Sequence, residues 1–319
     1  MTTGLQHKLL TLCALRHGEA APDWHVLART AQLAGGVEAL YRGDVPEDSR
    51  DARRTLSVLR GGLDDLDAAR ARVDRELELA ERHGARLTTV LDDDYPANLR
   101  LVPNLPPFLF YRGALEPDDS YSIAVVGTRQ ATEDGRRRAA RMAWELAAHG
   151  VRVYSGLARG VDTAAHTAVL DSGGRTLAVV GTGITTCYPP ENRALADRIA
   201  ESGAVLSQFW PSSPPAKWTF PSRNITMSGL SQATCVVEAS STSGAKMQAG
   251  AAYAHGKQVF LLRSLVAHQP WAATMLAERK AIEVDDVEII LRRMAQPNQV
   301  AAVVADNKQL ALELFPVER

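Results

Sequence analysis

Four short stretches of this chain carry residues suited to holding phosphate: GTRQATEDG (127–135), SGLARGVD (155–162), KWTFPSRN (217–224) and EASSTSGAK (238–246). In the first, Gly127 and Thr128 let the backbone come close to a ligand. Arg129 adds a planar fork matched to phosphate, beside the free N–H groups of a following helix. The second offers Ser155, Gly156, Arg159 and Gly160 in a turn, with Asp162 read as a cap on the next helix and His166 as a structural side chain on it. The third interleaves Lys217 and Arg223 with Trp218 and Phe220, and adds Asn224. Cations for phosphates and rings for bases suit single-stranded nucleic acid; Trp218 taken alone reads as core. In the fourth, Ser243 and Gly244 open a helix, as an anion cradle or as plain N-capping. A further turn, GTGITTCYPPENRAL (181–195), has Gly181 and Gly183 for close approach and a stiff Tyr188-Pro189-Pro190 loop.

The chemistry that is missing narrows the reading. There is no GxxxxGK[ST] phosphate loop, GxGxxG fingerprint, HExxH, CxxC pair or GxSxG elbow. Several anion-ready turns without a nucleophile or paired carboxylates point to binding rather than turnover. We therefore expect no catalytic residue, no metal and no cofactor. Cys13, Cys187 and Cys235 are odd in number and far apart, which argues against a disulfide framework or zinc site and fits a reducing cytoplasm. No apolar run reaches membrane-spanning length, and the first 20 residues resemble a helix more than a signal peptide. Net charge is −1 over 319 residues. Residues 122–230 hold 12 Arg and Lys against 8 Asp and Glu, a local +4, so the remainder sums to −5. A local basic surface is what nucleic acid requires, whatever the total.

These turns need a frame. Residues 1–85 read as a small helical domain, with apolar residues at helical spacing and a break at Gly35-Gly36. Residues 86–115 read as a proline-containing connector ending in a strand. From residue 122 onward, apolar strands SIAVVG, VRVYSG, RTLAVVGTG, AVLSQF, TCVVEA, KQVFLLR and AIEV alternate with helices. That order predicts an α/β fold, a doubly wound and mainly parallel sheet covered on both faces, extending to 295. The carboxyl ends of its strands would gather the turns on one edge. Residues 296–319 read as a short tail.

The motifs also resemble a family. VVGTRQATEDG, VYSGLARGVDTAAH, GTGITTCYPPEN, FPSRN and SGAKMQAGAAYAHGKQVF stand in the order and spacing of the DNA-processing protein A (DprA/Smf) family, over about residues 90–295. The resemblance implies a Rossmann-like domain that binds single-stranded DNA as a homodimer and loads a RecA-type recombinase during natural transformation. Arg129 would be the pocket arginine, with Lys217, Phe220, Arg223 and Asn224 matching the family's Lys, Phe and Arg-Asn. Departures are Ile225 where the family has a second arginine, Gln208 where it has an acid, and Arg263-Ser264 where it has Pro-Gly. Two other readings stand beside this one. One is a nucleotide sensor or nucleotide-cleaving enzyme, as in antiphage defence, with Glu238 or Asp162 as acid or base. The other is an interaction module using an exposed 209–220 segment.

Overall fold

The structure is a computed structural model that describes residues 2–63 and 66–294; the 296–319 tail lies outside the described residues. A nine-stranded sheet is built from β1 (Arg86–Thr89), β2 (Phe108–Gly113), β3 (Ser122–Val126), β4 (Arg152–Ser155), β5 (Thr176–Val179), β6 (Ala204–Ser207), β7 (Ala233–Val236), β8 (Gln258–Leu262) and β9 (Ile282–Val284). Their spatial order is β1-β2-β6-β5-β4-β3-β7-β8-β9. Strands β3 to β9 pair in parallel, while β1 with β2 and β2 with β6 are antiparallel. Every residue of β3, β5, β6 and β7 is buried, the expected consequence of a parallel sheet sandwiched between helices. The chain winds outward from β3 through β4, β5 and β6, then returns to place β7 on the other side of β3. The topological switch therefore lies between β3 and β7, where an open parallel sheet leaves its crevice.

Five helices lead the chain: α1 (Gly4–Ala14), α2 (Trp24–Ala31), α3 (Gly36–Tyr41), α4 (Arg50–Gly62) and α5 (Asp67–Arg82). A short α6 (Ala97–Arg100) follows. The crossovers are α7 (Glu133–Ala148), α8 (Val161–Asp171), α9 (Arg193–Ser202), α10 (Thr219–Leu230) and α11 (Gly244–Ala254), ahead of α12 (Arg263–His268), α13 (Pro270–Ala277) and α14 (Val287–Arg293); two 3-10 turns at Pro117–Ser120 and Pro190–Asn192 complete the set. Helices α7, α8 and α9 lie side by side, and α10 packs between α6 and α11. No described helix is long and apolar enough to cross a membrane.

The connector expected at 86–115 holds a strand that local pattern did not suggest. Arg86–Thr89 is only four residues, and it is held by its pairing to β2. The leading helices share one continuous core with the sheet. Trp24 of α2 lies 5.0 Å from the Phe108 ring and 6.0 Å from Trp210, and its indole N–H donates to the Cys13 carbonyl at 3.0 Å. Phe209 and Trp210 are thus buried, so the exposed part of the expected 209–220 partner surface is confined to the stretch from Ser212 to Trp218. Only Trp218 of that segment's large rings stands out, 65% exposed and edge-on to Phe209, so the expectation that it fills core is corrected.

Two buried polar groups set the conditions under which this frame holds. Arg175, at the entry to β5, grips Asp119 with two hydrogen bonds of 2.7 Å and also donates to the carbonyls of Ala114 and Ser202. Both side chains are nearly enclosed, and removing Arg175 leaves the Asp119 charge only a distant partner, Arg152 at 3.9 Å. His166 of α8 is fully buried. The Thr176 hydroxyl donates to Val153 O, so it must accept from His166 Nδ1, which fixes the proton on that nitrogen. Burial holds the His166 pKa down to about 3, and the charge of Arg223 pushes the same way.

Arg175→Ala is expected to cost about 3 kcal/mol of stability, read as a lowered urea midpoint at unchanged slope. For His166 the folded pKa lies below the unfolded one, so its contribution is complete above about pH 6.5 and is lost as the pH falls toward 3. His166→Gln is therefore expected to flatten the acid limb of stability against pH by up to about 1.4 kcal/mol per pH unit. An unchanged slope in urea titrations between pH 6 and 4 would show that the imidazole does not titrate on unfolding.

Candidate nucleic-acid interface

The loops after β3, β4 and β7 meet the start of α10 at the carboxyl edge of the sheet and enclose a cleft of about 520 Å³. Gly127, Thr128, Arg129, Arg159, Phe220, Arg223, Asn224, Ser243 and Gly244 all line it, so the structure brings together most of the residues singled out from sequence. Local chemistry builds each wall. The Thr132 hydroxyl caps α7 by accepting from Gly135 N at 2.9 Å, with Glu133 and Asp134 in the first turn. The Glu238 carboxylate accepts from the Thr132 hydroxyl at 2.7 Å, tying the loop after β7 to the loop after β3. Thr128 N donates to Glu238 O at 2.6 Å in the same seam. Gly160 takes φ +77°, and a Cβ there would run into the Thr128 and Arg129 carbonyls. Only glycine fits that left-handed position pressed against a neighbouring loop. Ser243 caps α11 by accepting from Ala245 N at 3.2 Å.

The two central arginines do different work. Arg223 is buried, and its guanidinium donates to the carbonyls of Gly156 and Val179 and, at 3.0 Å, to Asn224 Oδ1. Burial lowers its pKa to about 10, and the nearby charge of Arg129 adds to that, against the pull of Asp162. Asp162 is buried too, and burial raises its pKa against the stabilising charge of Arg223. Its carboxylate accepts from Gly156 N at 3.1 Å and Ala158 N at 3.3 Å. This corrects its reading as a cap of its own helix: it pins the turn that precedes the helix, and no side chain caps α8. Arg223, expected as a phosphate contact, is first of all a bolt joining α10 to the ends of β4 and β5.

Arg129 is exposed and lacks a carboxylate within ion-pair distance among the described residues. Its guanidinium carbon sits 5.0 Å from the centroid of the Phe220 ring, a cation-over-ring pair at the mouth of the cleft. Arg159 is also exposed, but it pairs with Glu191, whose hydrogen bond raises its pKa.

Four expected residues take other places; one is Gly160, which borders the space between α7 and α8 instead. Ser155 is fully buried and donates to Val125 O at 2.7 Å, holding β4 against β3, so its hydroxyl does not face a ligand. Gly156 lies under Arg223, where a Cβ would overlap the guanidinium, and borders only a small side hollow. Lys217 is exposed in the turn before α10 and is not part of the cleft lining. The sequence reading missed Gln130 and Met247, which do line it. It took Tyr188 only as part of a stiff loop. The Tyr188 ring lies 5.6 Å from Phe220, making a second aromatic at the mouth. A lone methionine or a tyrosine before prolines carries no local signal of such a place.

With this geometry, likeness to known proteins can be weighed. The profile of the family described as DNA recombination-mediator protein A matches residues 86–295. The DNA processing protein DprA of Streptococcus pneumoniae is 38% identical over 174 residues, 54% of this chain and 61% of that protein. Protein Smf of Synechocystis is 39% identical over 190 residues, 58% of this chain and 48% of that protein. The chain thus spans about half to three-fifths of the length of these curated relatives. The X-ray structure of the Streptococcus pneumoniae protein superposes with a TM-score of 0.70 at 26% identity, over 92% of this chain and 99% of that one. A Helicobacter pylori DNA processing protein A, whose structure was described for its single-stranded DNA binding mode, superposes at 0.57 and 23% identity over 69% of this chain and 97% of that one. The profile covers about two-thirds of the chain, including every loop of the cleft, and the Rossmann-like frame is shared: the chain belongs to the DNA recombination-mediator protein A family.

Proposed function

We propose that this chain binds single-stranded DNA in the cleft at the β3–β7 switch point, as a binder rather than an enzyme. One observation carries the reading: Arg129, an exposed cation free of acidic partners among the described residues, rests over the half-exposed Phe220 ring. A cation next to an open ring serves a phosphate and its base together, and neither interaction depends on sequence. Gly127, Thr128, Ser243 and Gly244 line the same wall, with the Thr128 and Ser243 N–H groups held within the loops by Glu238 O and Ser240 O, and Asn224 and Arg159 add polar reach. Gly160 lets the turn after β4 press against the Thr128 and Arg129 carbonyls, while Gly156 and Ser155 support the cleft from behind. Lys217, three residues before Phe220, adds positive charge beside the cleft. A nucleotide-cleaving site has less support, because Glu238 and Asp162 are both engaged by backbone and hydroxyl donors. Family membership supports a further step, in which a homodimer in the cytoplasm passes the bound strand to a RecA-type recombinase. The helical residues 1–85, whose core is continuous with that of the sheet, would then brace it, and sedimentation equilibrium checks the dimer.

Anisotropy of a labelled oligo-dT tests the cleft. Arg129→Ala is expected to weaken binding and to reduce the dependence of log K on log salt by about one phosphate contact. Phe220→Ala is expected to cost about 1–3 kcal/mol of binding with little change in salt dependence. Arg129 is exposed, so Arg129→Ala leaves stability within about 0.5 kcal/mol, whereas Arg223→Ala removes the charge that offsets buried Asp162 and the donor to the Gly156 and Val179 carbonyls, and loses about 3 kcal/mol of stability along with binding. Tight binding that ignores salt, or a preference for duplex, would refute the reading.

A further inference from the structure

A second groove of about 640 Å³ runs from the cleft between α7 and α8. Arg159 lines both spaces, so the groove begins where the cleft ends. Its floor is Gly160, just before α8, with Ala164 and Ala168 at four-residue spacing on that helix, and Ala140 opposite on α7. Small side chains in a row leave a smooth trough. Its α7 rim carries Arg136 and Arg137, with Glu133 beside them, so together with Arg159 and Asp171 the lining keeps a net positive charge. Arg136 is exposed, has no carboxylate within ion-pair distance among the described residues, and uses only one nitrogen, on Ala131 O at 2.7 Å. Arg137 is 65% exposed and is held by Glu133 and Asp134. Those pairs are solvent-exposed, of the kind worth under about 1 kcal/mol each, so a phosphate can take them over. At the far end Asp171 is tied by Arg198 at 2.7 Å, which offsets its charge.

Resting on the reading of the cleft as a single-strand site, we propose that a bound strand continues over Arg159 into the α7–α8 groove, with its phosphates on Arg136 and Arg137. The occupant follows from continuity with the cleft and from the positive rim. The site is then longer than the cleft, and affinity grows with strand length until both spaces are filled.

The experiment is a length series of labelled oligo-dT, from about 4 to about 16 nucleotides, the usual span of single-strand sites. It compares the full chain with Arg136→Gln/Arg137→Gln, after thermal melting shows both to be folded. The proposal expects equal binding of the shortest oligomers that bind at all. Longer ones should bind the full chain progressively better but the variant hardly better. On long strands the variant's salt dependence should be shallower by about 1.4 in log–log slope, two single-strand phosphate contacts. Identical length series overturn the extension and leave the cleft standing, the result expected if the groove takes an acidic protein segment instead. Equal losses at every length overturn it too, because the arginines would then act on the cleft itself. No binding of any length by the full chain sinks the extension together with the reading beneath it.

Discussion

Arg223 is the constraint on which the candidate site depends. A guanidinium is costly to bury unless its donors are met and its charge is balanced. Here carbonyls at the ends of β4 and β5 take the donors and Asp162 balances the charge. In turn the Asp162 carboxylate organises the turn after β4 through the N–H groups of Gly156 and Ala158. One side chain thereby sets how α10 stands on the sheet, and α10 carries Phe220. Gly156 is glycine because the bolt passes over it. The polar cluster is one coupled unit, so its parts cannot be treated as independent contacts.

The leading helices extend this control from the other side. Trp24, Phe108 and Trp210 form a tilted aromatic stack, with the Arg72 guanidinium 5.3 Å from the Trp210 ring. Glu76 of α5 accepts from Ser212 N at 2.9 Å. The segment between β6 and α10 is therefore clamped at Trp210 and Ser212, while its last turn is left outside with Lys217 and Trp218 exposed. The helical segment needs no contact with a ligand to matter, since it fixes the stretch that delivers α10 to the cleft.

Much of this was legible in the chain itself. Strands β3 to β8 announce themselves as short apolar runs closed by glycine or polar turns, and their alternation with helices requires a parallel sheet whose carboxyl edge collects the loops. The residues of the cleft were legible as types, with cations, rings and glycines at strand ends. What stayed hidden was set by distant packing. Arg129 and Arg223 look alike in sequence, and only the fold puts one in water and the other over Gly156. Trp210 and Trp218 differ in the same way: the partner that buries Trp210 is Trp24, some 180 residues earlier. Strand β1 has no pattern of its own because β2 supplies its reason to be extended.

Under the proposed reading, the separation of roles between the two arginines would let the cleft serve any base sequence. A ligand that relied on Arg223 would have to compete with two carbonyls and the Asn224 amide oxygen, and to reopen the bolt that holds α10. Arg129 has no such competitor among the described residues; its neighbour is a ring face, a weak and replaceable partner. A phosphate arriving at Arg129 displaces mainly water and counterions, and a base meeting Phe220 finds a π-face that all bases can match. The rigid arginine keeps the geometry while the exposed one meets the ligand. A charged, flexible strand bound as proposed would therefore meet an exposed cation and an open ring, with the buried bolt left in place.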